Sequence, residues 1–262
     1  MKRIIALTAT TLGLAIAGAA SAGTPTPVMT GLDAPRGLAF AWNGALYVVE
    51  AGRGGAGPCT LLRPGVTACY GPTGRVSRLW GGVQSEVVTG LPSAVMTTGA
   101  DVGVTVGPHD IADPGPRGVI TIGWGGNPAV RDSPTTAVWQ QFGHLAVVDL
   151  KRDRWKLDVD IGGYEAAANP DGGPVDSNPY GIVRRHGRLF VTDAGGNNLL
   201  QVRAGGDDTP AVSPVAVFPS RSTTPQHSSC VFPGRLGRRS RCRRRTAHQS
   251  ARRRSTRRPV PP

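Results

Sequence analysis

Two kinds of segment are missing from the chain after residue 22. No apolar run there is long enough to cross a bilayer, which takes about 20 residues. No stretch there shows sustained helical periodicity either. We therefore expect a mature chain without a membrane span and a fold without helices.

Short catalytic motifs are also missing. The glycine-rich segment 52–57 is not followed by Gly-Lys-Ser or Gly-Lys-Thr, so it is not a phosphate-binding loop. The chain contains neither a Gly-x-Ser-x-Gly nucleophile elbow nor a His-Glu-x-x-His helix. Motifs therefore assign no enzyme class.

Acidic residues and lysine are absent from residue 221 onward, although 13 arginines occur there. The chain has a formal net charge of +13, so this segment carries the whole excess and residues 1–220 are formally neutral. A basic arm could bind nucleic acid by neutralising phosphates. An exported protein meets little nucleic acid, however, and only Phe232 in this segment could stack on a base. We predict a disordered basic tail over 221–262 and no nucleic-acid partner.

The same segment suggests a second interpretation. Strand patterning and acidic residues both stop near residues 219–230, and the composition of the chain indicates GC-rich coding. Arginine codons in such DNA begin with CG, so a frame read one base later contains triplets that begin with G. These triplets encode Gly, Ala, Val, Asp or Glu, which are the residues that a further repeat needs. We therefore hypothesise a shift of reading frame and a C-terminally truncated chain, in which Cys230 and Cys242 are accidental.

The first 22 residues have the three parts of a secretory signal peptide. Lys2 and Arg3 are followed by the apolar segment 4–20 and by a small-residue cleavage site at 20–22. This order predicts that the mature chain begins near Gly23 and that the protein is extracellular or periplasmic.

Export makes disulfides chemically reasonable. Cys59 and Cys69 flank a short loop that contains glycine and proline. No histidine or further cysteine lies nearby in sequence to complete a metal site. We therefore predict a Cys59–Cys69 disulfide that holds a long insertion.

One hairpin pattern occurs three times. Each copy has a proline-led apolar strand, a glycine-bearing turn and a second strand rich in β-branched and aromatic residues. The leading residues Pro35, Pro108 and Pro179 are 73 and 71 residues apart. Two more short strands follow each hairpin, so each unit has the four strands of a β-propeller blade.

These units predict an all-β fold, an incomplete β-propeller over residues 23–220 with about three recognisable blades. The blades would cover residues 29–100, 101–170 and 171–220. A β-sandwich would also contain many short strands, but it has no reason to repeat the same proline and glycine positions.

Several blocks of sequence together resemble the ScyD/ScyE family of exported bacterial proteins. The blocks are Gly31–Phe40, Gly44–Val48, Cys69–Val76, Asn169–Gly173, Asp176–Gly181 and Asp193–Asn197. The resemblance covers roughly residues 25–220 and implies export, a six-bladed propeller and no established activity. Members of the family continue with further repeats, whereas this sequence departs from them after about residue 220.

A propeller brings the starts of its innermost strands together at a central channel. The equivalent positions here are Arg36, His109 with Asp110, and Tyr180. A cation, an imidazole beside a carboxylate and a phenol around one funnel could bind a polar ligand or move a proton. We predict that Arg36, His109 and Tyr180 bind a small molecule or a protein, with His109 and Asp110 as the candidate catalytic pair. Residues that merely line a wet channel would give the same pattern.

Two acidic residues occupy matching places in the first and third repeats. Glu50 and Asp193 lie 15 and 14 residues after their prolines. Hard cations require oxygen ligands, so both residues are candidate ligands of a calcium ion. The second repeat has Ile122 or Gly123 at that place, which leaves the set incomplete.

The segment 165–178 is rich in Asp, Asn, Gly and Pro. Asp171, Asp176 and Asn178 could bind calcium, but the segment lacks the spacing and closing glutamate of an EF-hand. Asx turns explain the same composition without an ion, so we expect turns here.

The whole pattern favours an exported binding or accessory module whose ligand lies at the funnel mouth. The alternative is a propeller enzyme. It would be a calcium-dependent hydrolase or a quinone-dependent enzyme similar to sugar dehydrogenases, whose first strands share the Pro-x-Gly-Leu-Ala pattern.

Overall fold

The structure, a computed structural model, describes residues 25–132, 137–203 and 211–219. The predicted signal peptide and the predicted basic tail lie outside these residues. Strands dominate the described ranges and form three antiparallel sheets, each built from one continuous stretch of chain. The all-β prediction is confirmed at this level.

The first sheet contains six strands rather than the four that the repeat predicts. They are β1 (Pro35–Phe40), β2 (Leu46–Glu50), β3 (Cys59–Arg63), β4 (Val66–Trp80), β5 (Val83–Met96) and β6 (Thr105–Val106). Strands β1, β2, β4, β5 and β6 pair in that order, and β3 pairs with β4. The extra strands arise because β4 and β5 continue past an irregularity between Gly71 and Gly74, and the continuation pairs with β3 and β6.

The predicted disulfide is present in this extension. Cys59 of β3 lies directly opposite Cys69 of β4, and their sulfur atoms are bonded. The bond closes a short ring, which stabilises a fold by about 2–3 kcal/mol. It fixes the β3–β4 hairpin, whose first strand ends at Arg63.

The second and third sheets contain the four strands that the sequence predicts. The second sheet consists of β7 (Pro108–Ala112), β8 (Arg117–Ile122), β9 (His144–Asp149) and β10 (Arg154–Asp160). The third sheet consists of β11 (Pro179–Arg185), β12 (Arg188–Asp193), β13 (Asn198–Arg203) and β14 (Ala211–Val217). Consecutive strands pair in both sheets, so each is a simple meander.

One α-helix, α1 (Ile161–Ala168), follows the second sheet, so the expectation of no helix is wrong here. The Asp160 side chain caps its first turn by accepting from the N–H of Gly163 at 2.7 Å. Asn169 ends the helix in the left-handed conformation, and its N–H donates to the carbonyl of Glu165 at 2.9 Å. Two glycines and a length of eight residues hide such a helix from a search for periodicity. Two 3₁₀ helices, Pro128–Asp132 and Ala137–Gln141, complete the described elements.

None of the helices in the described ranges is long and apolar enough to span a membrane.

Two apolar clusters join neighbouring sheets. The first lies between the first and second sheets and includes the rings of Trp124, Trp139 and Phe142, whose centroids are 5.6–5.9 Å apart. The second lies between the second and third sheets. Strand β8 serves both, because successive side chains point to opposite faces: Ile120 packs in the first cluster and Val119 in the second. Each fully buried large side chain stabilises the fold by roughly 1.5–3 kcal/mol.

The first strands of the three sheets meet. Strand β1 contacts β7, and β7 contacts β11. The hydroxyl of Thr121 on β8 donates to the carbonyl of Tyr180 on β11 at 2.6 Å. The starts of these strands carry the residues that the sequence singles out.

Candidate functional site

A cavity of about 210 Å³ opens where the first strands meet. Arg36 of β1, His109 of β7 and Tyr180 of β11 all line it. The structure therefore brings together the three predicted ligand-binding residues, one from each sheet. The other lining residues are Arg63, Met96, Asp101, Val104, Thr105, Val106, Gly125 and Asn178.

The two arginines of the cavity differ in their partners. Arg63 donates to Asp101 Oδ2 at 2.5 Å and to the carbonyl of Gly125 at 2.9 Å. Asp101 is the one carboxylate among the described lining residues. Arg36 donates from Nη2 to the carbonyl of Thr105 at 2.9 Å, and its Nε is buried without a hydrogen-bond partner. The Arg36 guanidinium therefore has no carboxylate partner in the cavity.

His109 is neutral at physiological pH. Its Nδ1 lies 3.1 Å from the carbonyl oxygen of Pro179, which can only accept, so Nδ1 carries the proton and Nε2 is an acceptor. Burial, with a smaller contribution from the charge of Arg36, lowers the pKa of His109 to about 4, while the hydrogen bond to the Pro179 carbonyl opposes the shift. The ring stacks on Tyr180, with centroids 4.4 Å apart and an angle of 39° between the planes.

Asp110, the candidate catalytic partner of His109, is not among the residues that line the cavity. Its Oδ1 accepts from the N–H of Ile111 at 2.9 Å, and its Oδ2 accepts from the N–H of Ile182 on β11 at 3.0 Å. A side chain at Gly37 of β1 would collide with the Asp110 carboxylate. Asp110 therefore joins the three first strands instead of sharing a proton with His109.

Glu50 is fully buried and bonded through both carboxylate oxygens. Oε2 accepts from the N–H of Asp33 at 2.5 Å and from Nε of Arg75 at 2.9 Å. Oε1 accepts from the hydroxyl of Ser77 at 2.5 Å. These bonds fix the segment before β1 to strands β2 and β4.

Asp193 makes the corresponding bonds in the third sheet. Its Oδ1 accepts from the N–H groups of Asn178, Gly195 and Gly196 at 2.6–3.1 Å. Its Oδ2 accepts from the hydroxyl of Ser177 at 2.7 Å. In both sheets, a buried carboxylate binds a serine hydroxyl and a backbone N–H just before the first strand.

The oxygens of Glu50 and Asp193, the candidate calcium ligands, thus already accept hydrogen bonds from protein donors. Among the residues that the structure describes, no group of three or more His, Cys, Asp and Glu side chains is arranged to hold a metal ion.

The second repeat has a buried apolar side chain, Ile122, at the matching position. Ile122 pairs with Pro108 in the register in which Glu50 pairs with Pro35. A Cβ on the following Gly123 would collide with the ring of His109 and lie 2.5 Å from Asn178 Oδ1. The imidazole therefore fills the space beside this turn.

In the segment 165–178, a turn accounts for Asp171, and a contact with a distant segment accounts for Asn178. Asp171 Oδ1 accepts from the N–H of Gly173 at 2.8 Å, which is an Asx turn, and its Oδ2 accepts from Asn197 at 2.8 Å. Asn178 Oδ1 accepts from the N–H of Trp124 at 3.1 Å. Neither residue offers oxygens for an ion.

Sequence reasoning missed several residues of the site. Asn178 lines the cavity, and its one signal is its position next to the repeated Pro179. Arg63 and Asp101 come from the insertion of the first sheet, which has no counterpart in the other repeats. Residues of that kind cannot be found by comparing repeats.

Comparison with known proteins gives distant structural similarities. No family model and no curated protein matches the chain. A chain of a nidogen/laminin complex is 11% identical in sequence, with a TM-score of 0.37. The match covers 67% of this chain and 46% of the matched chain, so this chain spans about half of the length of the matched chain. A putative oxidoreductase (glucose dehydrogenase) from Thermus thermophilus is 13% identical, with a TM-score of 0.30, over 72% and 86% of the two chains. The PQQ-bound aldose sugar dehydrogenase of Streptomyces coelicolor is 16% identical, with a TM-score of 0.28, over 71% and 83%. Similarities this distant assign no function.

Proposed function

We propose that this chain is an exported β-propeller domain of the ScyD/ScyE type that binds a small anionic molecule. One observation carries the proposal: Arg36, His109 and Tyr180 come from three different sheets and line a single cavity. The ligand would be held in that cavity.

The arrangement of the strands supports the propeller. The second and third repeats form sheets in which consecutive strands pair, and in the first repeat β1, β2, β4 and β5 pair in that order. The first strand of one sheet contacts the first strand of the next. Blades of a propeller are meanders of this kind, with their first strands nearest the axis.

The charges in the cavity support an anion. Arg63 is neutralised by Asp101, whereas Arg36 has no carboxylate partner there. A guanidinium binds a carboxylate through two parallel hydrogen bonds, which gives both strength and direction. Neutral His109 offers an acceptor at Nε2 for a hydroxyl of the same ligand. A volume of about 210 Å³ favours a small carboxylate, because pockets for drug-sized molecules have about 300–1,000 Å³.

The same geometry supports binding rather than the enzymatic alternatives. A calcium-dependent hydrolase would use the oxygens of Glu50 and Asp193, which protein donors occupy. Proton transfer by His109 would be aided by a neighbouring carboxylate, but Asp110 is bonded to backbone amides. We therefore propose a binding module.

A thermal-shift experiment tests this proposal. Acetate, succinate and citrate are added to the purified chain as sodium salts, with sodium chloride at matched ionic strength and glucose as references. We expect at least one carboxylate to raise the melting temperature and both references to have little effect. The Arg36→Gln variant should lose the response, since a charge-assisted hydrogen bond contributes about 1.5–3 kcal/mol.

Arg152→Gln is the matched control, because Arg152 is an exposed arginine that pairs with Asp149 away from the cavity. An equal response to glucose, or a response that Arg36→Gln retains, would contradict anion binding at this cavity.

A further inference from the structure

Most of the buried side-chain atoms without a hydrogen-bond partner belong to residues outside the cavity. Eight side-chain nitrogen and oxygen atoms of the described residues are buried without a hydrogen-bond partner. Five of the eight belong to Glu165, Asn169, Asp176 and Asn198, which we call the Glu165 cluster. All five are oxygens, the atom type that hard cations take as ligands.

Glu165 is the centre of this cluster. It lies in the last turn of α1 and is 1% exposed. Among the described residues, the Asn198 side chain donates toward its carboxylate, and neither carboxylate oxygen has a partner at full hydrogen-bonding geometry. Asn169 follows at the end of the same helix, with its amide nitrogen donating to the carbonyl of Gly173 at 2.9 Å. A buried carboxylate is costly unless a cation or a proton neutralises it.

The third sheet closes over Glu165 at the start of β13. A Cβ on Gly196 would lie 2.6 Å from Glu165 Oε2 and 2.7 Å from Asn198 Nδ2, so only glycine allows this approach. The Asn198 amide nitrogen donates to the carbonyl of Gly196 at 2.9 Å, which leaves its Oδ1 unpartnered.

Asp176 lies on the neighbouring loop, and its charge acts on Glu165. A Cβ on Gly195 would lie 2.8 Å from the Asp176 carbonyl carbon, so this loop packs against the same turn. Burial raises the pKa of Asp176, and the charge of Asp193 raises it further, while Arg63 opposes the rise. No described residue forms an ion pair with Asp176 or Glu165 within 4.0 Å.

The charge around Glu165 is uncompensated. Burial, together with the charges of Asp193, Asp171 and Asp176, raises its pKa to about 7, while the hydrogen bond from the Asn198 side chain opposes the rise. Asp193 and Asp171 have their oxygens on N–H and O–H donors. Glu165 and Asp176 therefore have unpartnered oxygens and no cation beside them.

We infer that the Glu165 cluster binds a divalent hard cation of the calcium class. Two carboxylates balance the charge of such an ion, and the amide oxygens of Asn169 and Asn198 add neutral ligands. Calcium accepts six to eight oxygens from carboxylates, amides, carbonyls and waters in a flexible arrangement. The ion would tie the end of α1 to the third sheet.

Calorimetric titration tests the site. Chelator-treated protein is titrated with calcium chloride alone, and its melting temperature is measured with and without calcium. We expect one equivalent of calcium to bind and, at about one hundred times the Kd, a rise of about 5 °C in the melting temperature. Glu165→Gln and Asp176→Asn should each weaken calcium binding at least tenfold.

Asp158→Asn is the matched control, because Asp158 is an exposed carboxylate of β10. It should bind calcium as the wild type does. In calcium-free buffer, Glu165→Gln should melt at the same or a higher temperature than the wild type, which shows that the variant folds. The absence of calcium binding to the wild type, or unchanged binding in Glu165→Gln and Asp176→Asn, would overturn the inference and leave Glu165 as a buried protonated acid.

Discussion

The first and third repeats agree at one buried position, all three repeats differ at another, and the two positions have different surroundings. Where they agree, Glu50 and Asp193 are carboxylates whose oxygens all accept hydrogen bonds from the protein. Where they differ, Arg36, His109 and Tyr180 face one cavity, and the Arg36 Nε has no partner.

This contrast separates stability from binding within the same repeat. A satisfied buried carboxylate holds the segment before a first strand and has no capacity for a ligand. A ligand can bind at a cavity where an arginine, a histidine and a tyrosine side chain meet. Repetition therefore marks the structural positions of this fold, and divergence marks the proposed site.

Removal of the Asp193 carboxylate should have the largest effect. Asp193→Ala leaves four buried donors without an acceptor, and each unsatisfied group costs about 1–3 kcal/mol, so we expect a loss of about 4 kcal/mol in the free energy of unfolding. Urea denaturation measures this loss. Asp158→Ala, at an exposed carboxylate, should change stability by less than about 0.5 kcal/mol. Equal effects of the two substitutions would remove the structural role that we assign to Asp193.

Acid should destabilise the protein through His109. Its pKa is about 4 in the folded chain and about 6.5 in the unfolded chain, so the unfolded state binds more protons between these values. The contribution of His109 to the free energy of unfolding is complete above pH 6.5. It decreases by about 3 kcal/mol as the pH falls toward 4.

The measurement is the unfolding free energy of the wild type minus that of His109→Gln, at several pH values. The subtraction removes other titrating groups, including Glu165, whose raised pKa acts in the opposite direction. A difference that does not change between pH 7 and pH 4 would mean that His109 is not buried as a neutral ring.

Gly123→Ala should lower the stability of the chain by less than the preceding changes, because the added methyl group affects only the packing against His109. Its Cβ collides with the His109 ring, so Gly123→Ala should destabilise the chain by about 2 kcal/mol. Gly115→Ala is the control, since its Cβ would be 3.9 Å from the nearest atom. Thermal melting compares the two, and equal melting temperatures would contradict the packing of His109 against this turn.

The sequence predicts the parts of the molecule that repeat. Pro35, Pro108 and Pro179 mark the first strands, and each first strand begins at its proline. The disulfide also follows from the sequence, since two cysteines flank one short loop. Local patterns decide these features.

Other features depend on contacts between segments that are distant in sequence. Asp110 looks catalytic beside His109, but the N–H of Ile182 on another sheet captures its carboxylate. Glu165 looks like a surface residue of a polar loop, but α1 and the turn at Gly196 bury it. No local pattern reports whether a carboxylate has donors around it, so these roles require the structure.

Succinate binding to two matched variants tests the contrast most directly. Titration calorimetry on Arg36→Gln and Glu50→Gln, compared with the wild type, separates the divergent position from the repeated one. We expect Arg36→Gln to weaken succinate binding at least tenfold with little change in melting temperature. Glu50→Gln should lower the melting temperature and leave the Kd of the folded protein unchanged. This account would be contradicted if succinate did not bind the wild type, or if it bound Arg36→Gln with the wild-type Kd.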